Sequence, residues 1–486
     1  MDHQADNDIA QQKKRKLTNV VIGFIFLLSG IEYAVILPTV WMYLQNLDAQ
    51  PFFLGLVLSA FSLTELLSGP LFGHWSDRTG NTKHVILLSN CFEIAGNFMY
   101  FVGISKWFLL GSRLVAGIGA GAGASIFGYL TRHSSHEDRA PVFAMAMSCR
   151  QAGLLIGPAF NIFLRYCTFQ LGPFHVDKFS APGIFMCVLW TLIQFMVMFM
   201  FYDGPLNGVK SKNEEQEPLL KDADLPSSLY GSVNSPDLKD LSAMENATCS
   251  SSCPTTSDHL YSQNDDRDGN LPSVKPVIGL LREEIVVLLA AQFVTFFNQT
   301  ALETLVTPLA QMYLGFQDLQ NSLLYFLCGV EMLIGFLVVH FLSRCCRDRL
   351  LLAFGLFISN ISCIWCLIFL AKPKGSYGLL LAEFIVGVFL QVLGLPFISV
   401  SQVSLFSKVT EEKTQGFSHG IRRSVGGVAT ILGPLWAGGL TQDLYIMLGV
   451  MMVLLILITV LVSFSYKYLV GPSASKTESS SSPVQS

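Results

Sequence analysis

The stretch Gly73-His74-Trp75-Ser76-Asp77-Arg78-Thr79-Gly80 lies between two long apolar segments of the chain. It sets an acid beside a base, it is framed by glycines, and Lys83 and His84 follow closely. Charged side chains are costly inside the hydrocarbon core of a membrane, and glycine tolerates the backbone angles of tight turns. The stretch therefore predicts a short charged turn between two membrane helices.

The composition of the chain also indicates a membrane protein. Of its 486 residues, 51% are hydrophobic and only 14% are charged, whereas soluble domains carry about 25% charged residues. The apolar segments are continuous runs of about 20 residues, which is typical of membrane helices and not of the alternating strands of a porin-like barrel. The eleven cysteines are spread over helices and loops, so we expect no disulfide framework, and we predict no metal site and no cofactor.

Twelve apolar segments are each long enough to cross about 30 Å of hydrocarbon as a helix. They are 18–44, 53–74, 84–103, 107–131, 141–164, 182–202, 285–310, 321–343, 350–371, 377–406, 419–440 and 445–468. We therefore predict an all-α membrane protein with two six-helix bundles. The predicted organisation is a cytoplasmic tail (1–17), the first bundle (18–202), a polar, disordered cytoplasmic linker (203–280), the second bundle (281–468) and a disordered cytoplasmic tail (469–486).

The distribution of basic residues predicts the orientation. With the N-terminus in the cytoplasm, most of the 31 lysines and arginines fall on the cytoplasmic side, and the cluster Lys13-Lys14-Arg15-Lys16 precedes the first helix directly. Cytoplasmic loops of membrane proteins carry an excess of lysine and arginine. We therefore expect both termini in the cytoplasm.

The two predicted bundles are internal repeats. Five short matches occur in the same order, four of them at offsets of 270 or 266 and one at 276. They are 38–44 with 308–314, Ser89-Asn90 with Ser359-Asn360, Arg113 and Gly117 with Glu383 and Gly387, Glu65 and Gly69 with Glu331 and Gly335, and Gly157-Pro158 with Gly433-Pro434. Many secondary transporters consist of two such repeats, with the substrate site between them near the membrane midplane. The repeat therefore predicts a twelve-helix pseudosymmetric transporter.

Six glutamates and one arginine lie inside predicted helices: Glu32, Glu65, Glu93, Glu303, Glu331, Glu383 and Arg113. An ionised carboxylate at the membrane centre costs about 3 kcal/mol on insertion scales. Such residues must line an aqueous cavity, pair with a base or carry a proton. We select Glu32, Glu65, Glu303, Glu331 and Arg113 as candidates for the transport pathway or its coupling. For Arg113 the alternative is a structural salt bridge with a glutamate of the first bundle.

Three other features have simpler interpretations. Glu93 and Glu383 lie near helix ends, where they could snorkel or cap a neighbouring helix. Arg150 lies near the cytoplasmic end of the fifth helix and is assigned to a gate or an interface.

The stretch 73–80 resembles the signature motif of the major facilitator superfamily, and the resemblance covers the chain outside its linker and tails. It implies the major facilitator fold. It also implies that Asp77 braces the cytoplasmic end of the eleventh helix and that Arg78 joins a charge relay of the outward-open state. Gly73 and Gly80 complete the motif, and Lys83 substitutes for the base that the family has at the position of Asn81.

Two further motifs carry the resemblance. Arg113-x-x-x-Gly117-x-Gly119 is similar to the fourth-helix motif, which the family links to proton coupling. Gly153-x-x-x-Gly157-Pro158 is similar to the fifth-helix motif of antiporters, although a Gly-Pro kink also serves packing alone.

Within the superfamily, segments 38–44, 111–121 and 151–158 resemble its lysosomal group associated with neuronal ceroid lipofuscinosis. This resemblance implies an anion, with chloride as a candidate, as the transported species. Glu215, Leu219 and Leu220 form an acid-x-x-x-Leu-Leu sequence of the kind that endolysosomal sorting adaptors read.

The resulting prediction is a multi-pass transporter of the lysosomal or late endosomal membrane that moves a small solute or anion by alternating access, with protons as the coupling ion. A channel-like anion conductance and a membrane scaffold that recruits partners through the linker are the alternatives. Membrane lipid and sorting adaptors are the expected partners. No pattern predicts an enzyme or a nucleic-acid surface.

Overall fold

The computed structural model describes residues 2–133, 139–203, 282–371, 373, 375–410 and 415–469. The helices of the first half are α1 (Asp2–Asn46), α2 (Pro51–Thr79), α3 (Thr82–Val102), α4 (Lys106–Ala120), α5 (Ala122–His133), α6 (Arg139–Leu164) and α7 (Ala181–Met200). Those of the second half are α8 (Glu283–Leu314), α9 (Asp318–Leu342), α10 (Asp348–Trp365), α11 (Tyr377–Val409), α12 (Gln415–Gly439) and α13 (Leu444–Phe464). The predicted linker 203–280, its sorting signal and the tail 469–486 lie outside these residues except for Asp203 and Leu469.

The predicted fold of twelve membrane helices is confirmed. Ten helical segments of the described residues are long and apolar enough to cross a membrane. One of these comprises α4 and α5 together, which are separated only at Gly121. The two remaining crossings are α6 and α12, which carry arginines within their apolar segments, at 150 and at 422–423.

Three local features differ from the sequence prediction. Helix α1 begins at Asp2, so the basic cluster before the first apolar segment is helical. An antiparallel hairpin, β1 (Phe169–Leu171) and β2 (Phe174–Val176), lies between α6 and α7. The charged stretch is not a turn as predicted: α2 continues to Thr79, and the chain reverses only at Gly80, whose φ is 68° and whose N–H bonds to the Ser76 carbonyl. A left-handed glycine is a common way to end a helix.

The bundle has two ends, the termini side and the hairpin side. The termini side holds the start of α1, the α2–α3 turn and the end of α13. The hairpin side holds β1 and β2. Each half has its own apolar core, one built around α1, α2 and α7 and the other around α8, α11 and α13.

The halves meet along α1 and α8, which occupy equivalent places in the two repeats. Tyr33 Oη donates to Glu303 Oε2 (3.3 Å), and Trp41 Nε1 donates to Gln311 Oε1 (2.6 Å). Thr307 Oγ1 donates to the Leu37 carbonyl (3.4 Å) between them. In all three pairs the residue numbers differ by 270, the offset of the sequence repeat. The pseudo-two-fold axis therefore passes between α1 and α8.

Candidate substrate cavity

A cavity of about 1120 Å³ lies between the two halves. Its walls come from α1, α2 and α6 of the first half and from α8, α9, α11 and α12 of the second. Most of its lining is apolar, and the polar side chains that reach it are Tyr33, Ser62, Glu65, Ser148, Arg150, Gln151, Gln299, Thr300, Glu303, Tyr325, Gln391, Ser399, Ser404 and Thr430. A large cavity at the repeat interface is where secondary transporters hold their substrates.

Glu65 and Arg423 form an ion pair at this cavity. Arg423 NH2 lies 3.8 Å from Glu65 Oε1, and its guanidinium lies 5.5 Å from the centre of the Phe127 ring. The pair joins α2 of the first half to α12 of the second. Arg423 was not predicted as a site residue. It lies near the start of α12, and nothing in the sequence separates it from the other basic residues on that side.

Arg150 contributes a cation to the cavity wall. It lies on α6, is partly exposed, and forms no ion pair with a carboxylate in the described part of the chain. The sequence placed Arg150 at a gate or interface. A basic residue without a carboxylate partner at membrane depth can instead hold an anionic group.

Glu303 faces the same cavity from α8. Besides the Tyr33 hydroxyl at its side chain, the Tyr325 hydroxyl donates to the Glu303 main-chain oxygen (3.0 Å). Tyr33 interacts electrostatically with both Glu303 and Arg150. Tyr33 and Tyr325 therefore position Glu303, although no sequence motif marks either tyrosine.

Glu32 and Arg113 lie away from the cavity wall, in the interior of the first half. Both are 1% exposed, and Arg113 NH1 lies 3.6 Å from Glu32 Oε1. Asn97 Nδ2 (2.8 Å) and Trp190 Nε1 (2.9 Å) donate to the same carboxylate. The geometry is that of the structural salt bridge, the alternative stated for Arg113.

Glu93 joins this buried network. It is 2% exposed, its Oε2 has no hydrogen-bond partner among the described residues, and it interacts electrostatically with Glu32 and Arg113. The expectation that Glu93 snorkels to a helix end is wrong, because α3 packs this position against Gly119 of α4. Glu383 is partly buried, and its main-chain oxygen accepts from Trp365 Nε1 (3.0 Å).

Glu331 does not face the central cavity. It lies in a groove of about 290 Å³ between α9 and α11, where every other lining side chain is apolar. Glu65 and Glu331 match in the sequence repeat, yet one lies at the repeat interface and the other lies on a different face of α9.

The charged residues at the end of α2 and the start of α3 make contacts within the first half. Asp77 contacts Arg132 at the end of α5, and Arg132 NH2 also donates to the hydroxyls of Ser76 (3.1 Å) and Thr82 (3.0 Å). This is not the contact with the eleventh membrane helix that the resemblance implies. Lys83 does not join Asp77, because its Nζ donates to the Met198 carbonyl (2.8 Å). Arg78 is exposed, and Gly73 lies near Ala124 of α5.

The glycines of the two helix motifs lie at close helix contacts. A Cβ at Gly117 would come within 2.2 Å of Thr64 Oγ1, and one at Gly153 within 2.1 Å of the Leu27 carbonyl. Gly119 faces Glu93, and Gly157 faces α1 at Ala34. Pro158, next to Gly157, lines the cavity.

On the hairpin side, an acid of the second half holds two bases of the first. Asp318, which is 8% exposed, accepts from Lys178 Nζ (2.9 Å) and lies 3.8 Å from Arg165 Nε. The sequence did not single out Asp318, because it precedes the predicted apolar segment. Together with the Trp41–Gln311 hydrogen bond, this cluster joins the two halves on the hairpin side.

Two repeated six-helix halves around a central cavity define a membrane transporter. The family model described as Major Facilitator Superfamily matches residues 22–382 and 288–485. The chain belongs to the major facilitator superfamily.

Its similarity to individual proteins is more distant. It is 22% identical to "Major facilitator superfamily domain-containing protein 8" of Xenopus laevis, over 88% of this chain and 86% of the relative. Among solved structures, it is similar to an inward-facing, unoccupied bacterial homolog of the human lysosomal transporter Spinster, with a TM-score of 0.64 and 13% identity over 93% of this chain and 97% of the other. A D-xylose–proton symporter gives a TM-score of 0.64 and 14% identity over 91% and 96%. These two likenesses show the fold.

Proposed function

We propose that the protein is a secondary active transporter that moves a small anion through the central cavity by alternating access, with a proton as the coupling ion. The observation that carries the proposal is the guanidinium of Arg150, which faces the cavity without a carboxylate partner among the described residues. An uncompensated cation at membrane depth attracts an anion, because Coulomb attraction strengthens as the surroundings become less polar.

The charges of the cavity wall suggest how a proton is coupled to the anion. Glu65 and Arg423 neutralise each other, which leaves Arg150 and Glu303. With Glu303 ionised, the wall carries no net charge. With Glu303 protonated, it carries one positive charge, and an anion restores neutrality. Proton and anion then occupy the cavity together, which is the requirement for symport. Intramembrane carboxyl groups commonly serve as such proton sites.

We propose that the termini side is cytoplasmic and that the contacts on the hairpin side close the cavity toward the exterior or the lumen. The exposed cluster Lys13–Lys16 at the termini side supports this orientation through the excess of basic residues in cytoplasmic segments. The ion pairs of Asp318 and the Trp41–Gln311 hydrogen bond would then form the exterior gate. Opening of that gate would have to break these bonds.

A lysosomal or late endosomal location remains part of the proposal. It is supported by the sequence of Glu215, Leu219 and Leu220, which sorting adaptors could read, and by the fold that the chain shares with a homolog of the lysosomal transporter Spinster. A lumen more acidic than the cytoplasm would supply the protons for anion export.

The test is uptake of radiolabelled chloride into proteoliposomes under an imposed pH gradient. For Arg150→Gln we expect a loss of at least about tenfold in flux, about 1.4 kcal/mol in anion binding, and for Arg150→Lys a partial recovery. Glu303→Gln should abolish the dependence on the pH gradient and leave chloride exchange intact. Arg344→Gln, which changes an exposed guanidinium outside both the cavity wall and the proposed gate, is the matched control. Unchanged flux in Arg150→Gln would refute the proposal, and unitary currents far above carrier turnover would establish a channel instead.

A further inference from the structure

The start of α1 is a strongly basic surface. Lys13, Lys14, Arg15 and Lys16 are all exposed, and none of them forms an ion pair with a carboxylate in the described part of the chain. The cluster is helical and continues directly into the apolar part of α1. Four charges at this position lie at the level where lipid headgroups meet a membrane helix.

A second basic side chain converges on the cluster from another part of the fold. Lys14 Nζ lies 5.5 Å from the centre of the Tyr202 ring, and Lys83 Nζ lies 6.0 Å from the same centre. The two ammonium groups are therefore at most about 11.5 Å apart, the total of these two distances. Two ammonium groups beside one ring repel each other, and an anion that contacts both would offset this repulsion.

The fold holds this arrangement in place. The Tyr202 N–H donates to Thr18 Oγ1 of α1 (3.2 Å), and the Tyr129 hydroxyl of α5 donates to the Tyr202 carbonyl (3.0 Å). Lys83 is fixed by its bond to the Met198 carbonyl. A site that is ordered before binding loses less entropy when a ligand enters.

The acid beside the ring is already engaged. Asp203 Oδ2 accepts the main-chain N–H of Lys83 (2.9 Å). Burial raises the pKa of the Asp203 carboxyl above its ordinary value, whereas this hydrogen bond and the positive charges of His133, His84 and Lys83 oppose the rise. Arg132 is occupied by Asp77. Against the one carboxyl group of Asp203 stand the ammonium groups of Lys14 and Lys83, so the net charge of the described side chains beside the ring is positive.

An apolar surface continues from the basic one. Lys13 and Lys16 share a helical face with Val20 and Phe24, since these residues are spaced by three, four and four positions. Val20 is 48% exposed and Phe24 is 45% exposed. A ligand with a polyanionic head and an acyl chain matches this order of basic and apolar residues along α1.

We infer that the surface formed by Lys13–Lys16, Lys83 and Tyr202 binds the headgroup of a polyphosphorylated membrane lipid, such as a phosphoinositide, with an acyl chain along Val20 and Phe24. Several convergent cations favour a headgroup with more than one phosphate over a singly charged one. Each lysine near an anionic surface contributes about 1 kcal/mol, or about fivefold in affinity.

The test measures binding of a fluorescent short-chain phosphatidylinositol bisphosphate to the purified full chain. We expect Lys14→Gln to weaken binding about fivefold, the double variant with Lys83→Gln to weaken it about 25-fold, and Lys14→Arg to bind as the wild type does. Lys106→Gln on the hairpin side is the matched control. A thermal unfolding scan of each variant checks that it is folded, and Lys14→Gln suffices if the double variant is not.

Wild-type affinity in folded Lys14→Gln would overturn the inference, as would an equal loss in Lys106→Gln. Soluble inositol trisphosphate that binds as tightly as the lipid would also overturn it, because the ligand would then be a free polyphosphate and the apolar face would have no role. Phosphatidylserine should bind at least about tenfold more weakly than the bisphosphate lipid, since it carries fewer charges.

Discussion

The two halves of the molecule share the arrangement of their helices but differ in where their charged residues lie. In the first half, Glu32, Glu93, Asn97 and Arg113 form a buried polar network. The repeat offset of 270 places Leu302, Cys363, Leu367 and Glu383 at the equivalent positions, and the second half has an apolar interior there except for the last. Its carboxyl group Glu303, one residue out of register with Glu32, faces the cavity instead.

This difference shows that the repeat preserves helix packing and not chemistry. A buried network of charges is costly to desolvate and stabilises little unless it is complete. The first half has this network, and the second half has the carboxyl group of Glu303 at the central cavity. The first half is thus suited to be a rigid body, and the second carries the proposed proton site.

The largest effect should come from breaking the network. Arg113→Leu leaves two buried carboxyl groups without their cation, and we expect a loss of about 3–5 kcal/mol in stability. Glu383→Gln, at the equivalent position of the second half, should change stability by less than about 0.5 kcal/mol. Thermal unfolding in detergent measures both. Equal losses would mean that the two halves do not differ in this respect.

The second comparison concerns the repeat mates Glu65 and Glu331. Glu65→Gln frees the charge of Arg423 at the cavity, so we expect the KM for a transported anion to fall about fivefold, equivalent to about 1 kcal/mol of added attraction. Glu331→Gln changes a side chain outside the cavity and should leave the KM within about twofold. Concentration-dependent uptake in proteoliposomes provides the values. A fall in KM for Glu331→Gln would place its groove on the transport pathway.

The smallest effect should come from the hairpin side, where Asp318 and Asp48 are related by the repeat. Asp318 holds Lys178 and Arg165, whereas for Asp48 only the main-chain oxygen contacts a base, Lys106.

Because both bases are substantially exposed, Asp318→Asn should cost about 0.5–1 kcal/mol and shift the population toward a cavity open on the hairpin side by about two- to fivefold. The rate at which a maleimide added from that side labels Cys328, a cavity residue, reports the shift. Asp48→Asn is the control, and an equal rate in both variants would exclude Asp318 as the gate.

Much of the fold could be predicted because hydrophobicity is a local property. Segment length and apolar composition located the twelve crossings, and the repeat indicated the pseudosymmetry that the α1–α8 contacts display. The β1–β2 hairpin and the helical extension of α1 carried no comparable signal. The turn at 73–80 was misplaced because a charged helix end and a charged loop have the same composition.

The site was less predictable, because burial of a charge inside a helix does not reveal which way that helix faces. Glu65 and Glu303 lie at the cavity, whereas Glu32 and Arg113 lie behind it and Glu331 lies elsewhere. Arg150, Arg423, Tyr33 and Asp318 were missed or were given lesser roles. Their significance arises from partners that are distant in the sequence.

Twelve membrane crossings in two related halves, with charges inside them, can be inferred from the order of residues, because partition between water and hydrocarbon depends on residue type and segment length. The fold is needed to see which of those charges neutralise each other and which remain available at the cavity. That outcome depends on the rotation of each helix about its axis and on the neighbours it meets. Residues at the same position of the repeat can therefore differ in role.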